Sequence, residues 1–103
     1  MLKINTKFYD GIMFIRLDGI LSKKEVYKFK KEVTNIIREN KIGKVVFNLA
    51  NLNYIDKYGI NSILQSNINN NNLICNTTKE LSNKFRKYNF KIAENELEAL
   101  RLC

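Results

Sequence analysis

Asp56, Lys57, Tyr58 and Gly59 stand where a short apolar run gives way to a helical pattern. Residues of these types at such a point can bind. An Asp just before a helix accepts hydrogen bonds from the free N–H groups of the first turn. A Gly inside that turn lets another backbone approach closely. A Lys and a Tyr between them offer a cation and a large amphipathic ring to whatever meets the surface. The run that carries them, Val45-Val-Phe-Asn-Leu-Ala-Asn-Leu-Asn-Tyr-Ile-Asp-Lys-Tyr-Gly-Ile60, reads as a buried strand, a short loop and a capped helix. Ligands and partners meet α/β sheets at such strand carboxyl ends. Asp56 to Gly59 are candidate partner-binding residues.

Enzyme chemistry finds no comparable set. The chain has no His, so imidazole catalysis and His-ligated zinc are excluded. A Ser or Cys nucleophile would have no imidazole base beside it. The glycines at 11, 19, 43 and 59 are scattered singly, so no phosphate-cradling loop is encoded. Cys75 and Cys103 build neither a four-cysteine metal site nor a disulfide framework. Cys75 reads as a small buried strand residue and Cys103 as an exposed terminal thiol. The acids Glu94, Glu96 and Glu98 lie at a helix start, where negative charge suits the macrodipole. A non-enzymatic protein with no metal and no cofactor is expected.

The elements that must position these residues follow from the periodicities. Leu2, Ile4, Thr6 and Phe8 alternate with polar neighbours, a period-2 strand. Asp10-Gly11 is a tight hairpin turn, and Ile12 to Leu17 is the return strand, ended by a loop at Asp18-Gly19. Its two faces are Met13, Ile15 and Leu17 against Ile12, Phe14 and Arg16. Ser22-Lys-Lys-Glu25 reads as a capping box with Ser22 as N-cap. The helix it opens carries Val26, Phe29, Val33, Ile36 and Ile37 on one face, and stops at Asn40 or Gly43.

Lys44 to Leu49 is apolar, β-branched and aromatic, a central strand buried on both faces. After the loop to Ile55, Asp56 caps a helix with Ile60, Ile63, Leu64 and Ile68 inward. Asn69 to Asn72 is a polar loop. Leu73 to Cys75 is a short strand. Thr77-Thr-Lys-Glu80 is a second capping box, placing Leu81, Phe85 and Tyr88 on one face. Phe90 to Ile92 is a last strand. Asn95-Glu-Leu-Glu98 caps a terminal helix with Leu97 and Leu100. The order β-β-α-β-α-β-α-β-α predicts one α/β domain over 1–103, a mixed, mostly parallel sheet of four or five strands with helices packed on it.

At 103 residues, two independent cores would not fit. Apolar runs are too short to span a bilayer, and the N-terminus lacks a signal-peptide core, so a cytoplasmic protein with free thiols is expected. The net charge is +8, which prompts thoughts of nucleic acid. However, 14 Lys against 4 Arg, with 16 Asn, is the mark of an AT-rich coding bias. A nucleic-acid domain using Lys23, Lys24, Lys28, Lys31, Lys84, Arg86 and Lys87 has no recognition motif and no interleaved exposed aromatics. Any binding of this kind should be nonspecific and salt-sensitive.

Taken in order, Leu17-Asp-Gly-Ile-Leu21, the Val45 to Leu49 strand and Tyr54-Ile-Asp-Lys-Tyr-Gly-Ile60 resemble the STAS domain. That module is shared by bacterial anti-sigma-factor antagonists and the cytoplasmic tails of sulfate transporters. The resemblance covers nearly the whole chain. It implies a STAS-like fold and a regulator whose partner, an anti-sigma factor with kinase activity, binds around the Asp–Ser helix start and releases on phosphorylation. The family's motif runs apolar, apolar, Asp, Ser, Ser or Thr, Gly, apolar. Here Lys57 stands at the phosphoacceptor position and Tyr58 replaces the second hydroxyl residue. Ile20 and Ser22 stand where antagonists commonly carry Glu and Asp, so the resemblance also implies partner-binding roles for Ser22 and Tyr54 beside Asp56 to Gly59. The resemblance therefore implies a binding regulator without a phosphorylation switch at position 57, or an accessory subunit of a membrane transport complex.

Overall fold

The computed structural model describes residues 1–66 and 73–103. Its elements are β1 (Leu2–Tyr9), β2 (Ile12–Leu21), α1 (Val26–Asn40), β3 (Lys44–Ile55), α2 (Lys57–Gln65), β4 (Leu73–Cys75), α3 (Lys79–Arg86), β5 (Lys91–Ala93) and α4 (Glu96–Leu102). The sequence-predicted order holds throughout. The expected inward position of Ile68 and the polar loop at Asn69 to Asn72 lie outside the described residues.

The five strands form one sheet in the order β1-β2-β3-β4-β5. β1 and β2 are antiparallel, with Leu2 opposite Gly19 and Tyr9 opposite Ile12. The remaining neighbours are parallel. β3 is therefore the central strand, as its apolar run predicts.

Side-chain alternation sorts the core into two layers. Met13, Ile15, Leu17, Val45, Phe47, Leu49 and Ile74 pack against Phe29 and Val33 of α1, Ile60 and Ile63 of α2, and Phe85 of α3. Ile12, Phe14, Val46, Leu73 and Cys75 pack on the other face against Ala99 and Leu100 of α4. Three helices thus cover one face of the sheet and one short helix the other.

Several boundaries differ from the sequence reading, each for a local reason. Asp18-Gly19 does not end β2. The strand continues to Leu21, with register shifts between Arg16 and Asp18 and between Gly19 and Ile20. Gly19 has φ +107°, and the Met1 carbonyl oxygen lies 2.3 Å from where a Cβ would sit. Ile20 N–H donates to that same carbonyl at 3.0 Å. The Asp-Gly pair is a bulge that keeps the strand going. β3 likewise runs through the expected loop to Ile55, because β2 remains beside it up to the Leu21–Ile55 pair.

At the end of α1, Lys41 takes the left-handed conformation (φ 50°) expected of Asn40 or Gly43. In the second capping box the cap is Thr78, one residue later than Thr77; it accepts from Leu81 N–H at 3.2 Å. Thr77 instead meets the Ser82 hydroxyl. Tyr88 falls beyond α3 and is exposed, as is Leu97 on α4. Cys103, expected to be exposed, is half-buried against the α4-side core.

Candidate functional site

β2 and β3 outrun their neighbours. β3 pairs with β4 only at Phe47 and Asn48, whereas β2 accompanies it to the end. The two strands project as a ribbon, and α1 and α2 both start from its tip.

Asp56 organises that tip. It caps α2 from an extended conformation, accepting from Gly59 N–H at 2.9 Å through one carboxylate oxygen. Its other oxygen accepts from Lys23 N–H at 2.9 Å. A single carboxylate thus ties the turn before α1 to the start of α2. Asp56 N–H reaches the Leu21 carbonyl at 3.4 Å, adding a backbone link.

Gly59 permits the close approach. A Cβ there would lie 2.2 Å from the Leu21 carbonyl oxygen and 2.7 Å from Ile55 Cγ1. The helix start packs directly on the backbone end of β2, which no larger residue allows.

Ser22 does not cap α1, as the sequence reading expected. The segment Ser22 to Glu25 forms a turn and the helix begins at Val26, with Glu25 at its N-cap and no side-chain cap bond. The reach-back half of the box survives. Glu25 Oε1 accepts from Ser22 N–H at 3.0 Å and from the Ser22 hydroxyl at 2.5 Å. With its oxygen in that bond, the hydroxyl donates to the carboxylate and caps nothing. These bonds hold the Glu25 carboxyl below its ordinary range.

Lys57 and Tyr58 face outward from the first turn of α2. Lys23 Nζ lies 5.1 Å from the Tyr58 ring centroid and Lys57 Nζ 5.3 Å. Both are cation–π contacts, which favour an ammonium near an aromatic ring. Neither lysine makes an ion pair among the described residues. Tyr54, 57% exposed, and Ile20 stand opposite one another on the ribbon.

All six sequence-predicted residues therefore gather at one end of the molecule. Lys23 stands among them, although the sequence reading named it only for a nucleic-acid surface. Its partner Asp56 is 33 residues away, and no local signal joins the two.

Beside the site, a groove of about 360 Å³ runs between the outer stretch of β3 and the start of α3. Leu52, Tyr54, Asn76, Thr78 and Lys84 are among its walls.

The opposite face of the sheet holds a second polar cluster. Glu96 takes Arg16 in a two-pronged pair at 2.7 and 2.9 Å and accepts from the Asn48 amide at 2.8 Å. The Arg16 guanidinium holds the Glu96 carboxyl below its ordinary value, against the opposing pull of burial. Of the three helix-start acids, Glu98 completes a cap. Its N–H donates to Asn95 Oδ1 and its carboxylate accepts from Glu94 N–H, each at 2.9 Å.

No group of three or more His, Cys, Asp or Glu among the described residues could hold a metal ion. No described helix is long and apolar enough to cross a membrane.

The shape of the molecule is that of known proteins. The anti-sigma factor antagonist SpoIIAA in its unphosphorylated form superposes with a TM-score of 0.71 at 15% identity, covering 98% of this chain and 96% of that one. The Bacillus SpoIIAA in its phosphorylated form superposes at 0.68, also at 15% identity, with both chains fully covered. An anti-sigma factor antagonist from Mycobacterium paratuberculosis reaches 0.80 at 9% identity, over 99% of this chain and 93% of that one. At such identities the likeness is one of fold. No curated protein matches the sequence. The STAS domain family matches residues 3–97, nearly the whole chain and every element that builds the ribbon tip. The chain belongs to the STAS domain family.

Proposed function

We propose that the chain is a non-enzymatic binding regulator of the anti-sigma-factor-antagonist kind. It holds its protein partner at the ribbon tip through Ser22, Tyr54, Asp56, Lys57, Tyr58 and Gly59. Position 57 carries no phosphorylation switch. The observation that supports this reading is the state of Lys57 and Tyr58: exposed, mutually in contact, and set on a start of α2 that Asp56 caps and Gly59 seats against the end of β2.

The charge argues for a partner's hand in this arrangement. A cation in the first helical turn opposes the positive end of the macrodipole, so Lys57 is mildly unfavourable for the helix. A partner carboxylate placed against Lys57 offsets that cost, with Tyr58 packing beside it as a large, polar-tipped anchor. An amine cannot take the place of the hydroxyl that receives phosphate in the family's switch. Binding is therefore constitutive with respect to this residue.

Co-precipitation from native lysate with wild type, Lys57→Glu and Lys57→Ser tests the reading. Wild type retains a partner and carries no phosphate at position 57. The charge reversal loses the partner, and the serine variant binds it more weakly. Equal retrieval by Lys57→Glu removes the ribbon tip from consideration as the interface.

A further inference from the structure

The outward face of α1 begins beside the ribbon tip, at Lys24, but includes neither Lys57 nor Tyr58. Its inward face is fixed by Phe29 and Val33, buried in the core, with Ile36 and Ile37 packed against it. Opposite them, at steps of three, four and seven, lie Lys24 in the turn before the helix, then Tyr27, Lys28, Lys31 and Arg38. Tyr27 is 79% exposed, an unusually bare position for an aromatic ring. Lys31 lies one helical turn after it with Lys28 alongside, and Lys24 stands three residues before it in the preceding turn. Lys28 pairs loosely with Glu32 at 4.0 Å. Lys24, Lys31 and Arg38 make no ion pair among the described residues, and Arg38 donates a hydrogen bond to Asn35 Oδ1 at 2.7 Å.

We propose that this stripe binds single-stranded nucleic acid without sequence preference. Four cations spaced by one or two helical turns track a phosphate backbone, and a bare aromatic ring among them is a platform for one base. The sequence alone argues against such a surface for want of exposed aromatics between the lysines; the structure supplies one. An anionic membrane fits less well. The outward residues of α1 include no exposed aliphatic side chain to enter the lipid boundary, which interfacial helices require. The proposal needs neither Lys57 nor Tyr58, so it stands or fails apart from the partner site.

The probe is a fluorescein-labelled oligothymidylate of about 15 nucleotides, followed by anisotropy over a series of salt concentrations. Wild type binds, with a log–log salt slope of about −3 from four phosphate contacts. The double variant Lys24→Gln/Lys31→Gln reduces that slope by about 1 to 1.5. The control Lys84→Gln/Lys87→Gln removes the same charge from α3 and its C-cap and leaves binding and slope near wild type. Tyr27→Ala weakens binding about tenfold with the charge unchanged, whereas Tyr27→Phe keeps it. Thermal melts confirm that these exposed substitutions leave the fold intact. Equal losses from both lysine pairs reduce the effect to overall charge and overturn the proposal. So does wild-type binding by Tyr27→Ala, or capture by phosphatidylserine vesicles with no binding of the oligonucleotide.

Discussion

Asp56 serves two elements at once, and that sets what its removal costs. A helix cap is worth about 0.5–2 kcal/mol. Asp56→Ala should lower stability within that range, and it also frees Lys23 N–H. Asp56→Asn keeps one acceptor oxygen and should lose less. Urea midpoints for the three proteins check the order. Gly59→Ala tests the close approach beneath the cap. Helix propensity favours Ala over Gly by about 1 kcal/mol. A Cβ 2.2 Å from a backbone oxygen forces the helix start away from β2, and overpacking of this kind costs about 1–3 kcal/mol. Net destabilisation is expected; a gain in midpoint would show that the contact relaxes freely. Cys75 offers a third residue-scale test. Burial pushes its thiol up to about 12. A thiol raised in the folded state favours folding below its unfolded pKa, and that contribution fades as pH rises through the folded value. Stability should therefore fall on the alkaline side. In the native protein a thiol reagent should label Cys103 and spare Cys75 until unfolding.

At the scale of elements, local chemistry made the strands and helices legible and hid their exact ends. Alternation and apolar stripes located every element because each reports its own burial. Ends depend on distant partners. Gly19 looked like a stop, because nothing nearby in sequence reveals that the Met1 carbonyl fills the space of its absent side chain. Thr77 and Thr78 are chemically alike, and only the packing of Ser82 decides which one caps. At the ribbon tip, Asp56 to Gly59 were readable from their order, whereas Lys23 was not. Glu96 shows the same limit. It reads as one acid among three at a helix start, yet it alone reaches across to Arg16 and Asn48 and pins α4 to the sheet. Its carboxyl is held below the ordinary 4.5 in the folded state. Stability from this pair is present above the unfolded value and lost as pH falls through the folded one. Glu96→Gln should therefore flatten the acid limb of the stability curve relative to wild type. Denaturation midpoints followed from neutral pH down through the carboxylate range measure this, and an unchanged limb would mean that α4 is held by its apolar contacts alone.

The molecule as a whole is uneven. β2 and β3 share a long ladder from Ile12 and Lys44 to Leu21 and Ile55, whereas β4 and β5 have three residues each. Amide exchange should be slowest in β2 and β3 and faster in β5 and α4, since local opening is cheapest where few buried contacts are lost. Uniform protection across the sheet would contradict this gradient. The strand order carries one more consequence. Spatial order repeats chain order, so no strand must slip between two already joined. As the polypeptide leaves the ribosome, each new strand can dock on the free edge left by the last, with its preceding helix closing over the same face. Domains emerging during synthesis fold from the N-terminal side, and here that direction coincides with the growth of the sheet from its antiparallel hairpin outward. A nascent chain stalled after β3 would already own the longest ladder of the finished protein.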